Sequence, residues 1–175
     1  MVISEIQRKL NSLVDVVKDE EKVLILMHDN PDPDSIASAV GLQYLLGNLA
    51  KKPSLIGYSG IVGRAENRAM LKHLGIKMCS MSRISLQDYP CVALVDTQPL
   101  TGNNSLPAGK PPDIVFDHHP YRPASRKVPY REIKPKKGEL HSEVIPGFWL
   151  RPEWAWAQPR PKKSAVLGLI LARGL

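Results

Sequence analysis

The stretch Val23-Leu-Ile-Leu-Met27-His28-Asp-Asn-Pro-Asp32-Pro-Asp34-Ser-Ile-Ala-Ser38 decides the fold. Five apolar residues end in a histidine, and a proline-broken loop then carries further acids. A small-residue helical pattern begins at Ser35. The order is strand, polar loop, helix. A strand that is apolar at every position is one buried on both faces, as parallel strands are. Open α/β sheets bind ligands at the carboxyl ends of their strands, which is where this reading puts His28, Asp32 and Asp34. Aspartates in such loops also serve as turn and N-cap residues. Asp29, Asp32 and Asp34 crowded beside one histidine nevertheless repel one another unless a cation sits among them.

Working outward, Ile6, Leu10, Leu13, Val14 and Val17 recur at helical spacing after Ser4 and predict an amphipathic first helix with these residues inward. Ser54–Tyr58 predicts a short strand, and Ala65–Leu74 a helix stopped by Gly75 at its C-terminal cap. Two more buried strands follow, 90–96 ending in Asp96, and 113–117 ending in Asp117-His118-His119. Val128 to Ile133 predicts an edge strand. Strands alternating with helices specify an α/β fold, a mainly parallel sheet flanked by helices. This domain is expected over residues 1–134. Residues 135–175 change character: Trp149, Trp154 and Trp156 stand among Pro146, Pro152, Pro159 and Pro161, a density that forbids a long helix or a central strand.

Composition sets the outer bounds. The 175 residues make room for one ordinary domain, and 43% hydrophobic with 23% charged residues is globular. Cys79 and Cys91 form no ligand-spaced pair, so a reduced, cytoplasmic setting is expected. The N-terminus has no apolar core of a signal peptide, and no apolar run approaches the roughly 20 residues of a membrane span. The formal charge of +7 gathers in the second half of the chain, at residues such as Arg126, Lys127, Lys136 and Lys137. That balance suits a polyanionic substrate or partner, and a solvated surface explains it equally.

The three strand ends together carry the chemistry: His28/Asp32/Asp34, Asp96, and Asp117/His118/His119. In a parallel sheet they converge on one edge. Imidazole with carboxylate and no thiolate suits Mn, Fe, Co, Zn or Mg. So many anionic ligands favour two cations, with a central carboxylate such as Asp96 between them. A cation pair of this kind activates water for phosphoryl displacement without a protein nucleophile.

These motifs resemble the DHH phosphoesterase family, named for the Asp-His-His present here as Asp117-His118-His119. The first motif is His28 to Ser38, the second Leu94-Val-Asp96. Gly60-Ile-Val-Gly-Arg-Ala-Glu-Asn-Arg-Ala-Met looks like the bacterial members close to nanoRNases and phosphoadenosine-phosphate phosphatases. The resemblance covers roughly Val2 to Ile133. It implies a DHH-type N-terminal domain and a Mn²⁺-dependent hydrolase, Mg²⁺ or Co²⁺ being alternatives, acting on short oligonucleotides or nucleotides. Carried over by position, it gives His28 and Asp32 to one metal, Asp34 and His118 to the other, and Asp96 to both. It assigns His119 to the phosphate as donor or acid, Asp117 to orienting the neighbouring imidazoles, and Arg64 and Asn67 to substrate contact.

Two departures qualify the expectation. The family's fourth motif, a further metal-bridging aspartate, has no counterpart, because no Asp follows Asp117; Glu139, Glu143, Glu153 and His141 are the nearest substitutes. The smaller C-terminal substrate-binding domain has no counterpart either. The tail from about Gly138 is therefore expected to be a frameshifted or truncated segment, the rival being a short member with a novel tail. The alternative function is an inactive member that retains metal or nucleotide binding. A haloacid-dehalogenase-like phosphatase fits less well, since that chemistry wants Asp-x-Asp directly off the strand, where His28 stands. A nucleic-acid-binding module has no aromatic-basic interleaving to support it outside the tail.

Overall fold

The computed structural model describes residues 4–135, 140–141 and 149–150. The chain divides into two compact units, the first comprising residues up to 117 and 121–133, the second residues 118–120 and 134–175. The predicted 135–175 tail lies outside the described residues except for Pro135 and a two-stranded antiparallel ladder in the second unit, Leu140–His141 against Trp149–Leu150.

In the first unit, helix α1 (Glu5–Val17) begins where the Ser4 hydroxyl accepts the Gln7 backbone N–H at 3.1 Å, a standard N-cap. Its far end is closed by Lys52, whose Nζ donates to the carbonyls of Lys18 and Glu20, each at 2.6 Å. Leu13 and Val17 are buried, as the spacing requires. Ile6 is not: it is 71% exposed, because the N-terminal turns of α1 carry the periodicity past the point where the core supplies a partner.

Strand β1 (Val23–Leu26) is buried at all four positions. Helix α2 (Pro33–Leu45) follows, prolonged by a π-helical turn at Leu46–Ala50. Next come β2 (Ser54–Tyr58), α3 (Ala65–Leu74) and a two-residue β3 (Cys79–Ser80). Gly75 ends α3 with a left-handed φ of 63°. Strands β4 (Cys91–Val95), β5 (Ile114–Asp117) and β6 (Tyr130–Ile133) complete one six-stranded sheet in the order β3-β2-β1-β4-β5-β6. Every pairing is parallel. The α/β architecture is as expected, and β6 lies at the sheet edge where Val128–Ile133 was placed.

The period-2 alternation of the strands divides the core in two. Val23, Ile25, Ala93, Val95 and Ile114 face one side, where Leu13, Val17, Ile36, Ala39 and Leu42 of α1 and α2 pack on them. Leu24, Leu26, Val92, Leu94 and Val115 face the other, under Met81, Ile84, Leu86 and Leu106 from short 3-10 turns and loops. Met70 and Leu71 of α3 join that first side, so the three α-helices of the described residues cover a single face. Among the described residues, no helix is long and apolar enough to cross a membrane.

Candidate metal centre

The register of the sheet assembles the site. Leu26 pairs with Gly57 on one side and Leu94 on the other, and Leu94 pairs with Val115. Two residues further along each chain stand Ser59, His28, Asp96 and Asp117. Parallel pairing keeps equal steps level, so these four form one row along the carboxyl edge. Asp96 continues the ladder, its N–H donating to the carbonyl of Phe116 at 2.9 Å. It then turns sharply, with φ at 56°, a left-handed conformation that aspartate tolerates better than most residues.

His28 is held in one tautomer. Its Nδ1 lies 2.9 Å from the carbonyl oxygen of Asp29, which only accepts, so Nδ1 carries a hydrogen. In the neutral ring Nε2 then bears the lone pair. That nitrogen stands 3.4 Å from Oδ1 of Asp32 and 3.5 Å from Oδ2 of Asp96. Donor atoms of all three residues lie within 4.8 Å of one another, and Asp96 is buried. Two ligand atoms each about 2.1 Å from a shared cation stand about 3.0–3.4 Å apart, and the two separations from His28 are near that spacing, so this donor set is compatible with a divalent ion.

Asp32 does two jobs. It is the N-cap of α2, its Oδ1 accepting the Ser35 N–H at 3.1 Å while the Ser35 hydroxyl accepts the Asp32 N–H at 3.1 Å, a closed capping box. The helix therefore begins at Pro33, two residues before the expected Ser35, because the cap falls on the acid.

The charges are unbalanced without a cation. The side chain of Asp96 raises the pKa of His28 to about 9 against the opposing effect of burial, with the Asp29 carbonyl and the charges of Asp32 and Asp96 adding. Burial alone would raise Asp32, but a hydrogen bond from the Asp34 side chain, the Ser35 N–H and the charge of His28 bring it to about 2. Asp34 moves upward, first through that same hydrogen bond to Asp32, then through burial and the charges of Asp32 and Asp96. Two carboxylates set this close repel one another, and a cation beside them would relieve that repulsion.

Asp117 ends β5 on the same row, and its Oδ2 accepts from Nε2 of Gln98 at 2.6 Å. Gln98 is 1% exposed, and its Oε1 accepts the Arg122 N–H at 2.8 Å and the Ser125 hydroxyl at 2.9 Å. His118 and His119 follow Asp117 directly in the chain and belong to the second unit, where their rings stand edge to face with centroids 4.5 Å apart.

Arg64 is the exposed residue preceding α3. Asn67 is 3% exposed, and its Nδ2 donates to the carbonyl of Pro31 at 3.2 Å. The structure therefore brings together His28, Asp32, Asp34 and Asp96, aligns Asp117 with them, and turns Asn67 into the fold. Sequence reasoning missed the residues that fasten the acidic loop. Asn30 donates its N–H to Ser59 O and accepts the Ile61 N–H on Oδ1, both at 2.9 Å. Ser105 donates to Asp29 Oδ1 at 2.9 Å, and the Asp29 N–H bonds the carbonyl of Asn103 at 2.6 Å. The uncharged run Thr97-Gln98 after Asp96 was the available signal for Gln98, since polar residues continuing a buried strand need partners.

The chain is similar to an uncharacterized protein of Methanocaldococcus jannaschii, with 40% identity over 128 residues that cover 71% of this chain and 26% of that protein. It thus spans about a quarter of the length of the curated relative it matches. No family model matches the chain.

Proposed function

We propose that this chain is a divalent-cation-dependent phosphoesterase that hydrolyses phosphodiester or phosphomonoester bonds of short oligonucleotides or nucleotides. The observation that carries the reading is the convergence of His28 Nε2 with the carboxylates of Asp32 and Asp96 at the carboxyl edge of a parallel sheet. The three motifs that resemble the DHH phosphoesterases support it, since each stands at or directly after a strand end of this sheet.

In this reading His28 and Asp32 would hold one cation, and the resemblance assigns Asp34 and His118 to a second and Asp96 to both. Mn²⁺ suits the mixed imidazole and carboxylate donors, with Mg²⁺ or Co²⁺ as alternatives. Bound there, divalent cations would supply Lewis acidity toward phosphoryl oxygens and water. The chain's own residues do the rest. Nδ1–H of His28, fixed by the Asp29 carbonyl, keeps Nε2 aimed at the site. Asp117, pinned by Gln98, orients the imidazoles that follow it, and His119 donates a proton to the phosphate or leaving oxygen. Arg64, exposed ahead of α3, is a contact for substrate phosphate.

A second reading, a binding protein for metal or nucleotide without turnover, is favoured by one observation: residues 118–175 hold no aspartate where the resemblance expects a further anionic bridge, some fifty residues beyond Asp-His-His. A single panel separates the two. Hydrolysis of a dinucleotide, phosphoadenosine phosphate, pyrophosphate and a cyclic dinucleotide is measured with Mn²⁺, using Asp34→Ala as control. Turnover abolished by chelation and by Asp34→Ala supports the phosphoesterase. Mn²⁺ uptake without turnover of any substrate favours the binding reading, and a folded chain that takes up no Mn²⁺ overturns both.

A further inference from the structure

Asn67 is buried in an arrangement that stability alone does not explain. Its Nδ2 bonds the Pro31 carbonyl, while its Oδ1 is enclosed with no hydrogen-bond partner. A leucine of similar volume would fill the same space and leave no orphaned oxygen. What the amide uniquely does is hold the carbonyl of the residue immediately before Asp32.

A peptide unit is planar and trans, so its C=O and N–H point in opposite directions. Drawing the Pro31 oxygen toward α3 therefore turns the Asp32 N–H the other way, toward the Ser35 hydroxyl that accepts it at 3.1 Å. That bond is half of the capping box, and the other half holds Asp32 Oδ1, the oxygen 3.4 Å from His28 Nε2. Asn30 is tied to the same β2–α3 segment through Ser59 and Ile61, so three bonds join the turn from Asn30 to Asp32 to that segment. The one next to Asp32 comes from Asn67.

We infer that Asn67 is a positioning residue for the metal centre, fixing the Pro31–Asp32 peptide plane so that the Asp32 carboxylate is preset for a cation. This rests on the metal reading given under Proposed function. The test is Mn²⁺ titration of the full chain, followed by the electron paramagnetic resonance of free Mn²⁺. It is run on wild type, Asn67→Leu, Asn67→Asp and Asp32→Asn, beside thermal unfolding of each chain free of metal. Loss of such an outer partner weakens metal affinity about 10-fold or more. The expected result is that loss in Asn67→Leu with an unfolding midpoint unchanged or raised, two readouts that a purely structural asparagine would move together. Asn67→Asp, which keeps the shape but cannot donate, is expected to lose affinity likewise, and serves if the leucine variant does not fold. Wild-type affinity in both variants, or affinity and stability falling in parallel, overturns the inference. A wild-type chain indistinguishable from Asp32→Asn overturns the metal reading itself.

Discussion

Nε2 of His28 and Oδ2 of Asp96 face each other at 3.5 Å across adjacent strands, each two residues beyond the register pair Leu26 and Leu94. Asp96→Ala removes the buried carboxylate common to both proposed cation positions. Mn²⁺ uptake and Mn²⁺-dependent hydrolysis are expected to fall together, each by about 100-fold or more, since loss of even an outer partner of a ligand costs about 10–100-fold. In the metal-free variant the His28 pKa should drop from about 9 toward its ordinary 6.5, read by the pH dependence of its ring proton resonances. Two-metal binding retained by Asp96→Ala would sink the role given to this residue.

The same pair sets a pH dependence of stability in the metal-free chain. The folded pKa of His28 is raised to about 9 from 6.5, so folding favours the protonated ring. That contribution is fully present below pH 6.5 and declines as the pH rises, vanishing above about 9. A loss on the order of 3 kcal/mol across this window is expected in urea unfolding with chelator present. The decline should flatten in Asp96→Asn, and a decline of equal size there would remove its assigned cause.

Gln98 ties three segments together, because its one amide serves Asp117, Arg122 and Ser125. Gln98→Leu strips the half-buried carboxylate of Asp117, a backbone N–H and a buried hydroxyl of a partner at once. Destabilisation of about 2–4 kcal/mol is expected from urea midpoints. A change below about 0.5 kcal/mol would mean that these groups find other partners.

Gly60 and Gly63 flank one exposed loop yet should respond in opposite ways. Gly60 has φ at +73°, and a methyl there would press on the Asn30 side chain and come within 2.9 Å of its backbone nitrogen. At Gly63 nothing lies nearer than 4.0 Å. Gly60→Ala is expected to destabilise by about 1–3 kcal/mol, and Gly63→Ala to be neutral or stabilising by about 0.4–1 kcal/mol. Thermal unfolding of the two variants side by side checks the contrast.

Much of this architecture was legible in the chain because its signals are local and redundant. β1 and β4 are apolar at every position, and α3 runs from Ala65 to Leu74 with Gly75 closing it, as its sequence announces. Convergence of His28, Asp32, Asp34 and Asp96 was readable from strand ends and parallel direction. What escaped depends on long-range partners. β3 has only two residues and pairs through Gly57 and Tyr58 alone, too short for any periodicity. Ile6 obeys a helical pattern but meets no core. Asn67, expected to contact substrate, has its amide committed to Pro31, a bond spanning 36 residues that nothing in Arg64-Ala-Glu-Asn67 foretells. Glu139, Glu143 and Glu153 and the side chain of His141, the expected substitutes for a further aspartate, lie outside the described residues.

The row of Ser59, His28, Asp96 and Asp117 is, in the end, a matter of counting. Nothing but equal step length in neighbouring parallel strands keeps those four residues abreast. Deleting one residue from β4 would slide Asp96 by about 3.3 Å and swap every side chain before it between the two faces of the sheet. Exchanging one apolar residue for another there leaves the tally intact. Such a sheet should therefore drift freely in the identity of its core residues while its strand lengths stay frozen, and the spacing between motifs becomes as heritable as the motifs themselves.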